Sequence, residues 1–531
     1  MTQAVASTPA RAGRREWVGL AVIALPCVLY AMDLTVLDLA IPHISADLEP
    51  SSTQLLWILD IYGFLVAGSL ITMGGLGDRF GRRRLLLIGA ATFGLTSILA
   101  AFSRNSGMLI ASRALLGLAG ATLAPSTLSL IRNMFLHPIQ RTFAIGVWGT
   151  SYSVGGAMGP LIGGLVLQHY WWGAVFLIGV PVMLLLLLLG PVLLPEYRDP
   201  AAGRLDILSA ALSLAAVLLV IFGVKQLAES GWGWIPLAAV ASGIIVGWLF
   251  VERQRRLADP LIDLQLFQSP AFTTALAAYT LATFVGFGIY IYIAQYLQLV
   301  LGLSPFRAGL YTVPSMSAYV VGSMMVPVLA RWLRRVYIMS GGLAIAAVGF
   351  LVLALMEHHP SVVVLIVGML IYSLGLCPIF ILATDLIVGS APAERAGAAA
   401  ALSETRSELG GALGIALLGS IGTSVYRGAM AAAIPIGIPM GVAEAARRTL
   451  GGAVSEAGRL GDSSGAELLG AARESFVHAF TLTALICALI SLATAILVLV
   501  LLREEPARIR TADSAAGSSP VSRRSPSGTT A

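Results

Sequence analysis

Charged residues are scarce in this chain of 531 residues. Asp, Glu, Lys and Arg together make up 11% of it, whereas 57% of the residues are hydrophobic. Soluble globular domains contain about 25% charged residues, because their surfaces must stay hydrated. The composition therefore excludes a soluble domain and indicates a membrane protein that crosses the bilayer several times.

Cysteine, lysine and histidine are also rare. The three cysteines, Cys27, Cys377 and Cys487, fall inside apolar runs without metal or disulfide spacing. The single lysine, Lys225, is followed by Gln226, so the Gly-Lys-Ser/Thr of a P-loop is absent. The six histidines show no ligand spacing. These absences argue against an ATP-driven pump and against a membrane enzyme, and no cofactor or metal is expected.

Long apolar runs are abundant. Windows of about 20 apolar residues, the length that crosses a bilayer as a helix, recur along the whole chain. The predicted spans are 17–41, 55–76, 85–102, 108–130, 143–167, 173–194, 207–227, 235–251, 271–299, 308–330, 336–356, 362–388, 398–425 and 476–502. We therefore predict an all-α polytopic membrane protein with about 14 transmembrane helices.

The net charge of +6 comes from arginines that occur in alternate loops. The short loops of the other set contain only Arg104, Lys225 and Arg307. Cytoplasmic loops of membrane proteins carry the excess of basic residues, so this bias predicts orientation, with both termini inside. It does not indicate a nucleic-acid partner, since the arginines do not cluster on a soluble face.

An acid lies inside the first span. Asp33 is roughly 25 Å along the helix axis from Trp17, at about 1.5 Å per residue. A carboxylate at that depth costs on the order of 3 kcal/mol or more unless it faces a polar cavity or a partner. Asp33 is therefore a candidate functional residue.

The second and fourth spans carry charges at a similar depth. Asp60 can line one cavity with Asp33, and repulsion and desolvation would then raise the pKa of at least one acid, as a proton carrier requires. The alternative is an acid satisfied by a neighbouring Tyr or Ser. Arg113 is the obvious partner of Asp33, and either a switchable pair or a purely structural ion pair is open.

The thirteenth span contains two more acids. Glu404 and Glu408 are four residues apart and share a helix face, whereas Arg406 points elsewhere. Two carboxylates in a membrane cavity can attract an organic cation or hold a proton, and the alternative is a structural network of Glu and Arg between helices. Asp385, near the end of the twelfth span, is expected at the membrane interface.

The loop after the second span reads Gly74-Gly75-Leu76-Gly77-Asp78-Arg79-Phe80-Gly81-Arg82-Arg83-Arg84. Its glycines allow close helix approach and a tight turn, while the charges can pair with neighbouring helix ends. The stretch resembles the signature loop of the major facilitator superfamily, G-x-L-x-D-R-x-G-R-[KR], at each fixed position. The resemblance implies a conformational-switch loop with the candidate residues Gly74, Asp78, Arg79, Gly81, Arg82 and Arg83.

The fifth span contains glycines four apart, with a proline among them. Such spacing lets two helices touch backbone to backbone, and a proline loosens one helical hydrogen bond. The pattern resembles the motif that marks the antiporters of the same superfamily. Its residues are Gly155, Gly159, Pro160, Gly163 and Gly164.

Taken over nearly the whole chain, the sequence resembles the 14-span drug:proton antiporters of this superfamily, and within them the QacA-type exporters of quaternary ammonium compounds. The resemblance implies two six-helix bundles with two extra helices between them, and residues 329–335 weakly repeat the signature loop. The expected divisions are a cytoplasmic arm (1–15), a first bundle (16–200), the inserted helices (201–256), a second bundle (257–502) with an outer loop (426–475), and a disordered cytoplasmic tail (503–531).

The resemblance implies proton-coupled export of lipophilic organic cations by alternating access, from a monomer in the bacterial inner membrane. Asp33, Asp60 and Arg113 would serve coupling or recognition, with Glu404 and Glu408 in cation recognition. The expected partners are small organic cations, protons and membrane lipid. The alternative is export of a specific antibiotic, lipid or other metabolite on the same fold. The long outer loop is expected to form a surface hairpin or short helices.

Overall fold

The computed structural model describes residues 11–50, 52–198, 206–230, 233–257, 260–358, 361–391, 396–435, 437–460 and 463–502, and for several helical residues among them, including Pro160, it describes the backbone alone. Helices dominate these residues, and none of them forms a β-strand. The all-α prediction is confirmed. The predicted tail, 503–531, and most of the predicted arm lie outside the described residues.

Fourteen helices of 15 or more residues build the described part of the chain, and we number them in order. They are α1 (Arg14–Leu48), α2 (Ser52–Phe80), α3 (Arg82–Ala101), α4 (Ser106–Met134), α5 (Pro138–His169), α6 (Gly179–Leu193), α7 (Ile207–Ser230), α8 (Trp234–Arg256), α9 (Pro270–Gln295), α10 (Pro305–Trp332), α11 (Arg335–Ala354), α12 (Val362–Ser390), α13 (Ala396–Ala433) and α14 (Ser463–Leu501). A π-helical turn, Tyr296–Val300, extends α9.

Thirteen helical stretches among the described residues are long and apolar enough to cross a membrane. The remaining long helix, α5, has 32 residues, and at about 1.5 Å per residue it is also longer than a bilayer core is thick. It packs along α1 on one side and along α10 on another. Each of the 14 predicted spans therefore corresponds to one long helix.

Within the N-terminal helices, α1 packs on α5 and α2 on α4, and within the C-terminal helices α9 packs on α13 and α11 on α12. The intervening α7 and α8 pack on each other, and α7 also contacts α2 and α13. A bidentate ion pair joins the ends of the two helices, from Arg253 to Asp206, at 2.6 and 3.0 Å. The exact domain boundaries stay a prediction.

One end of the helix bundle carries most of the arginines, and we call it the arginine-rich end. The C-terminal and N-terminal helices meet there around Asp385, whose side chain is fully buried. Arg141 on α5 lies 2.6 Å from this carboxylate and Arg335 on α11 lies 3.0 Å from it. Thr142 donates a further hydrogen bond to it at 3.2 Å. The partners of Asp385 come from α5 and α11, so its carboxylate is buried between helices, and its expected position at the membrane interface stays a prediction.

A second contact at the same end uses backbone groups. Arg132, near the end of α4, donates to the carbonyl oxygens of Val388 at 2.7 Å and Gly389 at 3.2 Å, and also to that of Ala391. The last carbonyls of a helix have no partner inside the helix, so an arginine can satisfy them. These contacts hold the two sets of helices together at the arginine-rich end.

The predicted outer loop is largely helical. Helix α13 continues to Ala433 and α14 begins at Ser463, and between them lie two short helices, Met440–Arg448 and Leu450–Leu460, which we call the hairpin. Tyr426 on α13 donates a hydrogen bond to the carbonyl oxygen of Ala446 at 2.8 Å. The hairpin is thus tied to the end of α13 opposite the arginine-rich end.

Candidate functional site

A buried ion pair lies at the centre of the N-terminal helices. Arg113 on α4 donates from Nη1 to Oδ2 of Asp33 on α1 at 2.6 Å, and 2% and 6% of the two residues is exposed. The same guanidinium donates to the carbonyl oxygen of Ile58 at 3.1 Å and lies over the ring of Tyr62, 4.8 Å from its centroid. The predicted pairing of Asp33 with Arg113 is therefore present in this conformation.

The glycines of α5 position α1, which carries Asp33. A Cβ atom at Gly155 would overlap the carbonyl oxygen of Val28, and one at Gly159 would overlap the side chain of Thr35. Thr35 itself donates to the carbonyl oxygen of Gly156 on α5 at 3.2 Å. Small residues let two helices approach this closely in a membrane.

The other members of the fifth-span motif continue this helix. Gly163 would meet Val36 with an added Cβ at 2.6 Å, so the contact with α1 extends one turn further. Gly164, the next residue, is half-buried. The side chain of Pro160 lies outside the described part of the structure.

Aromatic rings connect the ion pair to the C-terminal helices. The ring of Tyr30, one helical turn before Asp33, lies 6.2 Å from that of Tyr62 and 5.4 Å from that of Tyr152. Its hydroxyl donates to Oε1 of Glu408 on α13 at 3.5 Å. Tyr30 therefore lies between the acid of α1 and an acid of α13.

Glu404 lies one turn from Glu408 on the same face of α13, as predicted. The residue is 9% exposed, and its Oε1 is buried without a hydrogen-bond partner among the described residues. An unpaired buried carboxyl oxygen loses its hydration without compensation, at a cost of about 1–3 kcal/mol. Such an oxygen is expected where a proton or a cationic ligand completes the site.

A buried arginine lies on another face of α13, pointing away from the two glutamates as predicted. The guanidinium of Arg406 lies 3.7 Å from the centroid of the Tyr279 ring on α9. It donates to Ser403 at 2.9 Å and to the carbonyl oxygen of Leu276 at 3.3 Å. Arg406 is thus held by a ring and by neutral oxygens.

Asp60 occupies a different environment from Asp33. It is half-buried on α2, and it directly follows Leu59, whose carbonyl oxygen accepts from Arg113 at 3.5 Å. Asp60 therefore lies beside the segment of α2 that Arg113 contacts.

The loop around Asp78 joins the two sets of helices. The carboxylate of Asp78 accepts a hydrogen bond from the backbone N–H of Ala398 at 3.2 Å and pairs with Arg82. Ala398 lies in the first turn of α13, where the helix dipole favours an anion. A Cβ atom at Gly74 would overlap the carbonyl of Gly397, so close contact of α2 with α13 requires this glycine.

The turn between α2 and α3 depends on Gly81, whose φ of +110° is unfavourable for residues with a side chain. A Cβ there would also lie 2.6 Å from the carboxylate of Glu196. Arg83 lies 3.6 Å from the same carboxylate, and Arg79 donates to the carbonyl oxygen of Gly75 at 3.1 Å. These contacts fix the loop against the segment that follows α6.

Comparison with known proteins identifies the family. A profile described as Major Facilitator Superfamily matches residues 23–415, more than half of the chain. The chain belongs to the major facilitator superfamily. Members of the superfamily are membrane transporters, so the predictions of a transporter rather than an enzyme, and of a multi-pass membrane protein, are confirmed.

Several relatives within the superfamily are exporters. The chain is 43% identical to the multidrug efflux pump LfrA of Mycolicibacterium smegmatis, over 94% of this chain and 99% of the relative. It is 34% identical to the methyl viologen resistance protein SmvA of Salmonella typhimurium, over 87% and 93%. It is also 34% identical to the tetracenomycin C resistance and export protein of Streptomyces glaucescens, over 78% of each chain.

Solved structures support the superfamily fold. The human organic anion transporter MFSD10 (TETRAN) matches with a TM-score of 0.58 and 17% identity, over 90% of this chain and 99% of that one. A bacterial homologue of the human lysosomal transporter Spinster, inward-facing and unoccupied, matches with a TM-score of 0.54 and 19% identity, over 92% and 98%. At these identities the likeness shows the fold alone.

The sequence predicted the buried charged residues of the site but not the tyrosine rings that surround them. Tyr30, Tyr62 and Tyr279 each contact a charged side chain, and Tyr152 packs on the ring of Tyr30. One signal was available, since Tyr30 and Asp33 are three residues apart and therefore share a helix face. No group of three His, Cys, Asp or Glu residues that could hold a metal occurs in the part of the chain that the structure describes.

Proposed function

We propose that this chain is a proton-coupled multidrug antiporter that exports lipophilic organic cations by alternating access. The observation that carries the proposal is the pair of carboxylates on one face of α13: Glu404 has a buried, unpartnered oxygen and Glu408 contacts Tyr30 across the two sets of helices. Acids rather than bases at such a place favour cationic cargo. The aromatic rings beside them favour lipophilic cations through cation–π attraction.

The coupling follows from competition for one charge. An ionised carboxylate attracts the organic cation, and its protonation removes that attraction, so the two ligands cannot both be favoured at once. A proton arriving from the outside therefore releases the cargo, and loss of the proton to the inside restores the site. In this scheme Asp33, Asp60 and Arg113 modulate the coupling, while Glu404 and Glu408 recognise the cation.

The alternation is assigned to the two sets of helices. The contacts of Asp385 and Asp78 close the arginine-rich end in this conformation. The excess of arginines supports a cytoplasmic position of that end in a bacterial cell, with both termini inside and the hairpin outside, as part of this proposal. The loop with Gly74, Asp78, Arg79, Gly81, Arg82 and Arg83 would act as the switch, since its contact with α13 must break when this end opens.

The names of the relatives agree with cationic cargo. LfrA is a multidrug efflux pump and SmvA confers resistance to methyl viologen, a compound with two positive charges. Together with the 14 long helices, this supports placement among the 14-span QacA-type exporters. The division into two six-helix bundles with two inserted helices, and a monomeric state, are part of the same proposal.

The test uses inside-out membrane vesicles with an imposed pH gradient and ethidium as cargo. We expect accumulation of ethidium by the unmodified protein that collapses with the gradient. Glu404→Gln and Glu408→Gln each remove a negative charge with little change of shape, and we expect each to lower the initial rate at least ten-fold. Glu467→Gln, at an exposed acid near the start of α14, is the matched control and should keep the full rate. Equal ethidium uptake with and without the gradient would contradict the proposal.

A second candidate is export of one specific antibiotic or other metabolite. It is favoured by the relatives named for resistance to tetracenomycin C and to puromycin. Under this alternative a single neutral or zwitterionic compound would compete with ethidium or be transported in its place. Measuring gradient-driven uptake of ethidium, a bisquaternary dication and a neutral antibiotic in the same vesicles separates the two.

A further inference from the structure

A cavity of about 400 Å³ lies beneath the hairpin, and we call it the hairpin cavity. It is bounded by α9, α13, α14 and the hairpin, and its walls include Tyr292, Ile415, Gly419, Thr423 and Phe476. It is separate from the buried acids in sequence and lies nearer to the end opposite the arginine-rich end. Cavities of this volume are large enough to hold a drug-sized molecule.

The hairpin cavity continues the face of α13 that carries the glutamates. Glu408, Ala412, Ile415 and Gly419 follow one another at steps of four, three and four residues, so they line one side of the helix. The last three border the cavity. A compound leaving Glu408 toward the hairpin would meet this surface next.

The same side of α13 contacts the N-terminal helices at two points nearer the arginine-rich end. At the arginine-rich end Ala401 lies against Gly74 of α2, and at the middle Glu408 contacts Tyr30 of α1. This face of α13 continues into the hairpin cavity, whose lining residues all belong to the C-terminal helices and the hairpin.

Most polar groups in the walls of the cavity already have hydrogen-bond or ion-pair partners. The hydroxyl of Tyr292 donates to the carbonyl oxygen of Leu418 at 2.8 Å, and that of Tyr426 donates to the hairpin. Arg448 at the rim is paired with Glu444 at 2.5 Å. The remaining surface is aromatic and aliphatic, with Gln295, Thr423 and Thr449 as neutral polar groups.

We propose that the hairpin cavity is a second binding site, which holds the aromatic or aliphatic body of the exported cation on its way out. This inference rests on the proposed function. Its walls offer apolar contact but no net negative charge, so they bind the cation more weakly than the glutamates do. A cargo that moves from a charged site to an uncharged one meets no second high-affinity site, so it can dissociate to the outside.

The first experiment fills the cavity. A Cβ atom at Gly419 meets nothing within 4 Å, so Gly419→Leu places a side chain into the space without a steric clash at its base. Gly428 on the same helix also has open space around its Cβ and does not border the cavity, so Gly428→Leu is the matched control. We expect Gly419→Leu to lower the maximal rate of ethidium transport at least three-fold in inside-out vesicles, and Gly428→Leu to match the unmodified protein.

The second experiment detects occupancy directly. The chain's three cysteines are buried, so Thr423→Cys introduces an accessible thiol on a low background. We expect ethidium to slow the reaction of this thiol with a maleimide at least three-fold, and Gly419→Leu to abolish the protection. Native mass spectrometry of the purified Gly419→Leu protein examines whether a phospholipid is the occupant instead. A phospholipid lost from this variant without ethidium protection of Thr423→Cys would overturn the proposal.

The outcomes distinguish failure of the proposed function from failure of the second binding site. If the unmodified protein shows no gradient-driven ethidium transport, the proposed function fails and the second site fails with it. If the unmodified protein transports ethidium, then equal rates for the two leucine variants, or labelling of Thr423→Cys that ethidium does not slow, overturns the hairpin cavity as a site and leaves the proposed function standing.

Discussion

Asp385 on α12 and Arg141 on α5 form an ion pair at 2.6 Å that joins the C-terminal helices to the N-terminal ones. Arg335 adds a second pair from α11, and the carboxylate is fully buried between them. Breaking a buried pair by removing one partner costs about 3–5 kcal/mol, because the remaining charges stay in a dry environment. Helices α5 and α12 must separate when this end opens. Removing one partner of the pair therefore destabilises the closed conformation and not the open one.

We therefore predict that Asp385→Asn shifts the protein toward a state open at the arginine-rich end. Ser323 on α10 lies between the helix sets, 3.0 Å from Thr150 of α5. In a Ser323→Cys background, we expect Asp385→Asn to raise the rate of maleimide labelling at least ten-fold in inside-out vesicles. Glu444→Gln, which removes an exposed ion pair worth about 0–1 kcal/mol, is the control. An unchanged labelling rate would remove Asp385 from the closure.

A second prediction concerns the pair of Asp33 with Arg113. Asp33→Asn keeps the shape of the side chain but removes both the proton site and the ion pair, so we expect gradient-driven ethidium efflux to fall at least ten-fold. The amount of folded protein in the membrane should remain close to that of the unmodified chain, because Arg113 keeps its contacts with the carbonyls of α2.

The double variant Asp33→Asn with Arg113→Gln separates coupling from structure. It removes the unpaired charge that the single variant leaves behind. If the pair is structural alone, the double variant restores transport. If Asp33 takes part in coupling, thermal stability recovers while transport stays low.

A third prediction concerns Arg406, the buried cation on the ring of Tyr279. A positive charge about 10 Å from the cargo opposes each additional cargo charge by roughly 1.5 kcal/mol at an effective dielectric constant near 20. We expect Arg406→Gln to raise the transport rate of a bisquaternary dication relative to ethidium about ten-fold. Arg406→Lys keeps the charge and should keep the original ratio, and a ratio unaltered in both variants would exclude a role in selectivity.

The fourth prediction uses the connection between α7 and α8. The hydrogen bonds of Arg253 lower the pKa of Asp206 from an ordinary 3.8 to about 2. A carboxylate with a lowered folded-state pKa stabilises the fold above pH 4 and loses that contribution as the pH falls toward 2. We expect Asp206→Asn to lower the melting temperature at pH 7 by about 1–2 °C, since a partly exposed pair contributes little. The difference should shrink as the pH falls through 2 and vanish below it, and a difference that stays constant from pH 7 to below pH 2 would contradict the assignment.

The spans were predictable because lipid leaves the chain no alternative to long apolar helices. The pairing of Asp33 with Arg113 was predictable for a similar reason, since a buried acid needs a partner and few charges were available. The glycines of α5 and of the loop at Gly74 also fulfilled their predicted role in close helix packing.

The sequence did not indicate which N-terminal helices contact which C-terminal helices. Asp385 and its partner Arg141 are 244 residues apart, so the sequence did not indicate their pairing. Tyr30 and Glu408 are 378 residues apart, and no periodicity within either helix indicates their contact. The short helices of the outer loop were expected, whereas the hydrogen bond from Tyr426 that ties them to α13 was not indicated by the sequence.

Arg132 donates its hydrogen bonds at the end of α12 to main-chain oxygens rather than to side chains. Every amino acid supplies such an oxygen, so residues 388–391 are free to drift during evolution as long as the helix still ends there. The arginine has no such freedom. Related transporters could accordingly diverge at one partner of this contact and keep the other unchanged.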